Sequence, residues 1–289
     1  MRWHITLFLI LNTAAVFGQT GADITGTIEW DRREINAVVS LDLVSARIKL
    51  PSGRTQGETV IAADYFRLIR PGILELQADS SSTVAALVKR GEWSLIELEN
   101  TVSQAQTVPP VLSPDLRVLS AAYTLSLERI SAGLIRHSRP AEPPRILNPV
   151  SAPAYTGIII IASQSLPVHG MKSSALPVPC LFPKIWDTHM NLIFERNMLD
   201  PHNSVMVRYA PAQNIFGDNP SGLSPEIITA AGNRPLRIFA RGVFGIVPTD
   251  PIIDREDALL IISTEENRRL LQDGKVVIIL DDSVLKQAL

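Results

Sequence analysis

Cys180, His169, His189 and Asp187 fall within about twenty residues of one another, and their types are those of a thiol-dependent hydrolase. A thiolate nucleophile needs a neighbouring base, and that base needs an orienting carboxylate. Cys180 would be the nucleophile, His169 or His189 the base, and Asp187 the orienting group. The local context argues against it. Cys180 sits in Pro177-Val178-Pro179-Cys180-Leu181, with no Gly-rich turn or helix start to build an oxyanion hole or lower the thiol pKa. Asp187 and His189 are two residues apart and would share a face of a strand, which also describes an ordinary hairpin end. The same histidines with His202 match no standard metal-ligand spacing. Arg32-Arg33 and Arg268-Arg269 are each flanked by acids and read as solvated pairs. Gly242 and Gly245 lack a following helix pattern and read as a bulge or turn. The residues therefore predict no catalytic, cofactor-binding or metal-binding set, and no cofactor.

Composition narrows the classes further. Of 289 residues, 46% are hydrophobic and 19% charged, enough to bury a sizeable core. The formal net charge of −2 argues against a nucleic-acid binder, which needs cationic surface to displace phosphate counterions. A lone cysteine excludes an intrachain disulfide and a Cys-rich metal site. Residues 1–18 (MRWHITLFLILNTAAVFG) carry a basic start, an apolar run and Val16 and Gly18 at the −3 and −1 spacing of a signal-peptidase site. They predict a secretory signal peptide and a periplasmic protein with no transmembrane span after its removal. The run from Ile5 to Phe17 is shorter than the roughly 20 residues that cross a bilayer.

Patterning divides the rest of the chain. Residues 139–153 (RPAEPPRILNPVSAP) carry five prolines, which exclude a helix interior or central strand and predict a linker. It separates an expected N-terminal domain, 19–138, from a C-terminal domain, 154–289. In the first, residues 28–43 predict a hairpin around Asp31-Arg32-Arg33-Glu34. A helix is expected over 55–70, stopped by Pro71-Gly72, and another over 81–104, capped by Ser82 and broken at Gly91. Residues 116–130 alternate as a half-buried strand. In the second, residues 156–162 and 275–280 (KVVIIL) predict buried strands, and 182–187 with 191–195 a hairpin. Asp254 caps one helix, and Ser263 with Glu266 forms a capping box for the next. The fold class is α+β: two mixed α/β domains with antiparallel hairpins, joined by the Pro-rich linker.

One succession of residues resembles a known family. Tyr155-Thr156-Gly157-Ile158-Ile159-Ile160 is followed in order by Phe182-Pro183-Lys184-Ile185-Trp186-Asp187 and Gly232-Asn233-Arg234-Pro235-Leu236. Thr249-Asp250-Pro251-Ile252-Ile253, Glu256-Asp257-Ala258 and Gly274-Lys275-Val276-Val277-Ile278 complete it. This resembles the bacterial envelope family of flagellar assembly proteins P and T and related small outer-membrane lipoproteins. The resemblance implies a non-enzymatic part of a ring, disk or collar around a flagellar motor, and carries over no catalytic residue. The chain has no lipobox cysteine, unlike the lipoprotein members.

The expected role is thus a periplasmic structural or assembly component of an envelope complex, associated with the outer membrane or a flagellar motor. Its partners would be other envelope or motor proteins, or copies of itself in a ring. Two other readings are a periplasmic hydrolase built on Cys180, His169 or His189, and Asp187, and a ligand-binding module with its pocket between the domains.

Overall fold

The computed structural model describes residues 21–144, 146–215 and 222–289, so the expected signal peptide lies outside the described residues. The first unit opens with β1 (Ala22–Glu29) and β2 (Glu34–Asp42), paired antiparallel across the Asp31-Arg32-Arg33 turn. Ile35, Ala37, Val39 and Leu41 of β2 are buried and the residues between them are not, the period-two pattern of a sheet with one wet face. Helix α1 (Arg54–Glu75) presents Gly57, Ile61, Tyr65, Ile69 and Ile73 as one buried stripe at four-residue spacing. The helix does not stop at Pro71 but runs through it. Proline removes the amide that would bond the Arg67 carbonyl. Arg67 and Pro71 both lie on the exposed side, where water can take that carbonyl, while Ile69 and Ile73 hold the buried side.

Next, β3 (Gln77–Asp79) and β4 (Ser82–Thr83) make a short finger, followed by α2 (Val84–Lys89) and α3 (Leu95–Val102). The helix expected over 81–104 is therefore two, parted around Gly91. Ser82 is in the finger, and Thr83 caps α2 by accepting from the Ala86 amide. Ser94 and Glu97 form the capping box of α3. Two-residue strands β5 (Gln106–Thr107) and β6 (Val111–Leu112) edge the long β7 (Val118–Ser126). That strand ends earlier than its alternation suggests. The Ser126 hydroxyl accepts from the Glu128 amide and starts α4 (Leu127–Leu134).

Residues 139–153 form no regular element among those described. They are tied to the second unit: the Ala141 amide donates to the Asn197 carbonyl at 2.7 Å, and buried Asn267 donates to the Pro153 carbonyl at 3.0 Å. The second unit begins with β8 (Ile158–Ile161), β9 (Leu166–Pro167) and β10 (Ser174–Ala175). A hairpin of β11 (Ile185–Asp187) and β12 (Leu192–Phe194) comes next, then β13 (Arg208–Pro211) and α5 (Pro225–Ala231). After these come β14 (Leu236–Phe239), β15 (Gly242–Phe244) and β16 (Asp250–Ile253). The chain ends with α6 (Arg255–Ile262), α7 (Glu265–Gln272), β17 (Val276–Leu280), α8 (Asp282–Leu285) and β18 (Lys286–Ala288).

The fold class is α+β, with most strand pairs antiparallel. Beside the expected hairpin, the central sheet of the second unit is parallel: its order is β13-β17-β8-β14 and every pair in it runs the same way. The continuous apolar runs IIII and VVIIL explain this, because a strand covered on both faces has no polar side to alternate. Ile158, Ile160, Val276 and Ile278 face the main core, whereas Ile159, Val277 and Ile279 pack under α5. The cap of α7 also differs. Ser263 keeps helical backbone angles and closes α6, so extended Thr264 accepts from the Asn267 amide instead. Asp254 has the extended backbone of a cap, but its carboxylate accepts from Arg241 Nε at 2.6 Å rather than from the helix.

The last strand leaves the second unit and pairs with β1, so the first sheet reads β18-β1-β2-β7-β5, with β6 beside β7. One buried cluster runs through both units. Gly157 shows how tightly the second unit is closed: a Cβ there would overlap the Ala231 backbone at the end of α5. Gly157→Ala is expected to cost about 1–3 kcal/mol, measured as a lower midpoint in urea unfolding with unchanged slope.

Candidate functional site

The four residues proposed for thiol chemistry are held by separate local interactions. Cys180 is buried, and burial, with Asp250 nearby, pushes its thiol well above the ordinary value. Its amide donates to the Tyr209 hydroxyl at 3.1 Å, and that hydroxyl donates back to the Cys180 carbonyl at 2.8 Å. Asp187 closes the β11–β12 turn: its carboxylate accepts from the His189 amide at 2.9 Å and from the Asn191 amide at 2.8 Å. The His189 ring instead meets Arg255, whose guanidinium donates to Nδ1 at 2.5 Å, so no carboxylate orients it. His169 is exposed, its ring tilted 6.0 Å from that of Phe244. Exposed His202 pairs with Asp200 at 2.7 Å. Among the described residues no three His, Cys, Asp or Glu side chains converge as metal ligands.

The residue that gathers polar groups is Asp250, at the start of β16. It is 0% exposed. The Lys184 amide donates to one carboxylate oxygen at 3.1 Å and the Thr249 hydroxyl to the same oxygen at 2.8 Å. Trp186 Nε1 donates to the other at 3.4 Å, and the Ser80 hydroxyl bonds the group from the first unit. Burial raises the carboxyl pKa, and these four donors pull it back only in part. Ser80 is placed by the β3–β4 finger, which enters the second unit backbone first. The Leu181 amide donates to Gln77, the Phe182 amide to Ala78 and the Val247 amide to Ser80. Gly245, at φ +123°, lets the facing turn approach: a Cβ there would overlap Ser80.

Asp250 lies in the Thr249-Asp250-Pro251 stretch that the family resemblance rests on, but sequence reasoning gave it no role. The donors that surround it come from positions 80, 184, 186 and 249, and no local spacing connects the first of these to the rest. Two clefts flank the turn between β1 and β2, where the units meet. One, of about 320 Å³, holds Glu29, Asp31, Arg32, Asp282 and Lys286, with Glu29 paired to Arg32 and to Lys286. The other, of about 300 Å³, holds Asp31, Arg33 and Arg208. The small cavity beside Cys180 and Tyr209 is only about 20 Å³, room for one water and no substrate.

These features define a two-unit α+β protein in which an antiparallel sheet with helices is joined through one core to a parallel-sheet unit. Family models give the relationship. Residues 22–133 match the model of the Treponema pallidum Tp0624 N-terminal domain, and residues 157–282 match that of the Tp0624 second domain. The two matched stretches follow one another in that order and together span most of the chain. No curated protein matches it. The matched models name a spirochete family and make no reference to flagellar proteins P and T. No helix among the described residues is long and apolar enough to cross a membrane.

The buried thiol and the buried carboxyl each give a measurable outcome. Cys180 should resist a maleimide at neutral pH in the folded protein and react fully in denaturant, read by mass spectrometry. Asp250→Ala should cost about 2–5 kcal/mol, because it strands buried donors. The pH dependence has the opposite sign to that of an ion-paired acid. A carboxyl whose folded pKa is raised contributes its full stability below the unfolded value, near 3.8, and loses it as pH rises through the folded value. Stability of Asp250→Asn relative to the native chain should therefore improve from acid toward neutral pH, measured by denaturant unfolding across that range.

Proposed function

We propose that the protein is a non-enzymatic structural or assembly component of a bacterial envelope complex, working in the periplasm as part of a ring or collar beside a flagellar motor. The observation that carries this reading is the open edge of the first sheet. Strands β5 and β6 are two residues each and separated by Pro109-Pro110, so the edge offers few backbone groups for indiscriminate pairing. It carries apolar side chains instead: Val108 and Val111 are 59% and 66% exposed, and Leu116 at the approach to β7 is 59% exposed. Apolar groups gathered on a blunted edge suit docking by side chains against another macromolecule.

The fusion of the two units supports the same reading. A contact made by one unit is transmitted to the other through the shared core and the β1–β18 pairing, as a building block requires. A heterologous contact repeated by a closing rotation makes a ring. The flagellar setting rests on the sequence resemblance; the scaffold role rests also on the exposed edge.

The test is light scattering on the purified periplasmic form, with recovery of the protein from envelope fractions. Assemblies larger than a monomer, dispersed by Val108→Glu with Val111→Glu at unchanged melting temperature, are expected. A chain that stays monomeric and elutes free of every envelope complex would sink the proposal. Normal swimming and intact motors in a deletion strain would remove the flagellar setting.

A further inference from the structure

The cleft of about 300 Å³ lies between the β1–β2 turn, the first residues of β13 and β17, and one side of α5. Its volume is at the lower end of small-ligand sites, roughly 300–1,000 Å³. The floor is apolar and buried: Ile227 and Ala230 of α5, and Val277 of β17. Arg33 comes from the first unit and Arg208 from the second. Arg33 is already engaged, its guanidinium 2.7 Å from the Glu128 carboxylate. Arg208 is half-buried, and among the described residues no side chain or carbonyl takes a hydrogen bond or ion pair from it.

A half-buried guanidinium with no hydrogen-bond acceptor is a costly arrangement, since it has lost part of its water and gained no hydrogen bond in return. Burial, and then the like charge of Arg33, both act against its protonated form, with Glu128 offsetting them only in part. An anion entering the cleft would supply the missing acceptor, in the paired geometry that guanidinium and carboxylate favour. Exposed Asp31 and Glu226 also line the cleft, and they oppose a multiply charged anion. The apolar floor favours a ligand with a hydrocarbon body.

We propose that this cleft binds a small organic carboxylate with an apolar body, the carboxylate on Arg208 with Arg33 behind it and the body over Ile227, Ala230 and Val277. The site needs both units, because its two cations come from different ones. It is independent of the scaffold role: ligand binding is read by titration and assembly by light scattering, so either can fail alone.

Calorimetric titration of the purified chain with acetate, butyrate, hexanoate and inorganic phosphate tests it, alongside the shift in melting temperature. Hexanoate is expected to bind and to raise the melting temperature, with affinity growing about threefold to fourfold per methylene over the series. Arg208→Gln should weaken hexanoate by about tenfold or more. Thr229→Trp, an exposed position on the cleft side of α5, should block the cleft without disturbing the core and gives the second reading if Arg208→Gln unfolds early. No binding of hexanoate at millimolar concentration overturns the proposal. So does binding that neither variant weakens, and so does phosphate binding as tightly as hexanoate.

Discussion

Asp250 is a carboxylate sealed from water at the place where the two halves of the chain meet, and donors from both halves surround it. A buried carboxyl is tolerable only when donors surround it. Three donors are contributed by the second unit and one, the Ser80 hydroxyl, by the first. To deliver Ser80, the β3–β4 finger must dock backbone against backbone, and the facing turn must carry a residue without a side chain, Gly245. The Trp30 and Tyr209 rings then cross edge to face at 6.0 Å on the neighbouring part of the seam. Separating the units would expose apolar surface and strip the carboxyl of one partner at once.

This seam also accounts for the buried thiol. Cys180 lies next to the residues that receive the finger, and its backbone exchanges hydrogen bonds with Tyr209. The position is good for packing and poor for chemistry, since burial disfavours the thiolate that would be needed as nucleophile. The histidines that accompany Cys180 in sequence serve turns and surface contacts.

Much of the fold was legible because burial writes a period into the chain. The alternation in residues 35–41 and 119–125 marks strands with one wet face, and the apolar runs at 158–161 and 276–280 mark strands covered on both. Local rules failed where a tertiary contact outweighed them. Pro71 sits inside a helix because the buried stripe on the opposite side continues past it. Ser263 had the composition of a cap, but the preceding helix had not yet ended, so the extended backbone falls at Thr264. The site was less legible than the fold: Arg33 read as half of a solvated pair and nothing local singled out Arg208, because their relation is one of space.

Local pattern was enough to set the α+β class and much of the run of strands and helices. These depend on neighbours along the chain, whose side chains must alternate or recur to find a core. Long-range contacts were needed to make the second sheet parallel, to return the last strand to the first sheet, and to bring Ser80 to Asp250 and Arg33 to the cleft with Arg208. Those pairings join residues from distant parts of the chain. Their free energy comes from burying surface and matching donors between elements, a quantity no single stretch carries until the units have closed on each other.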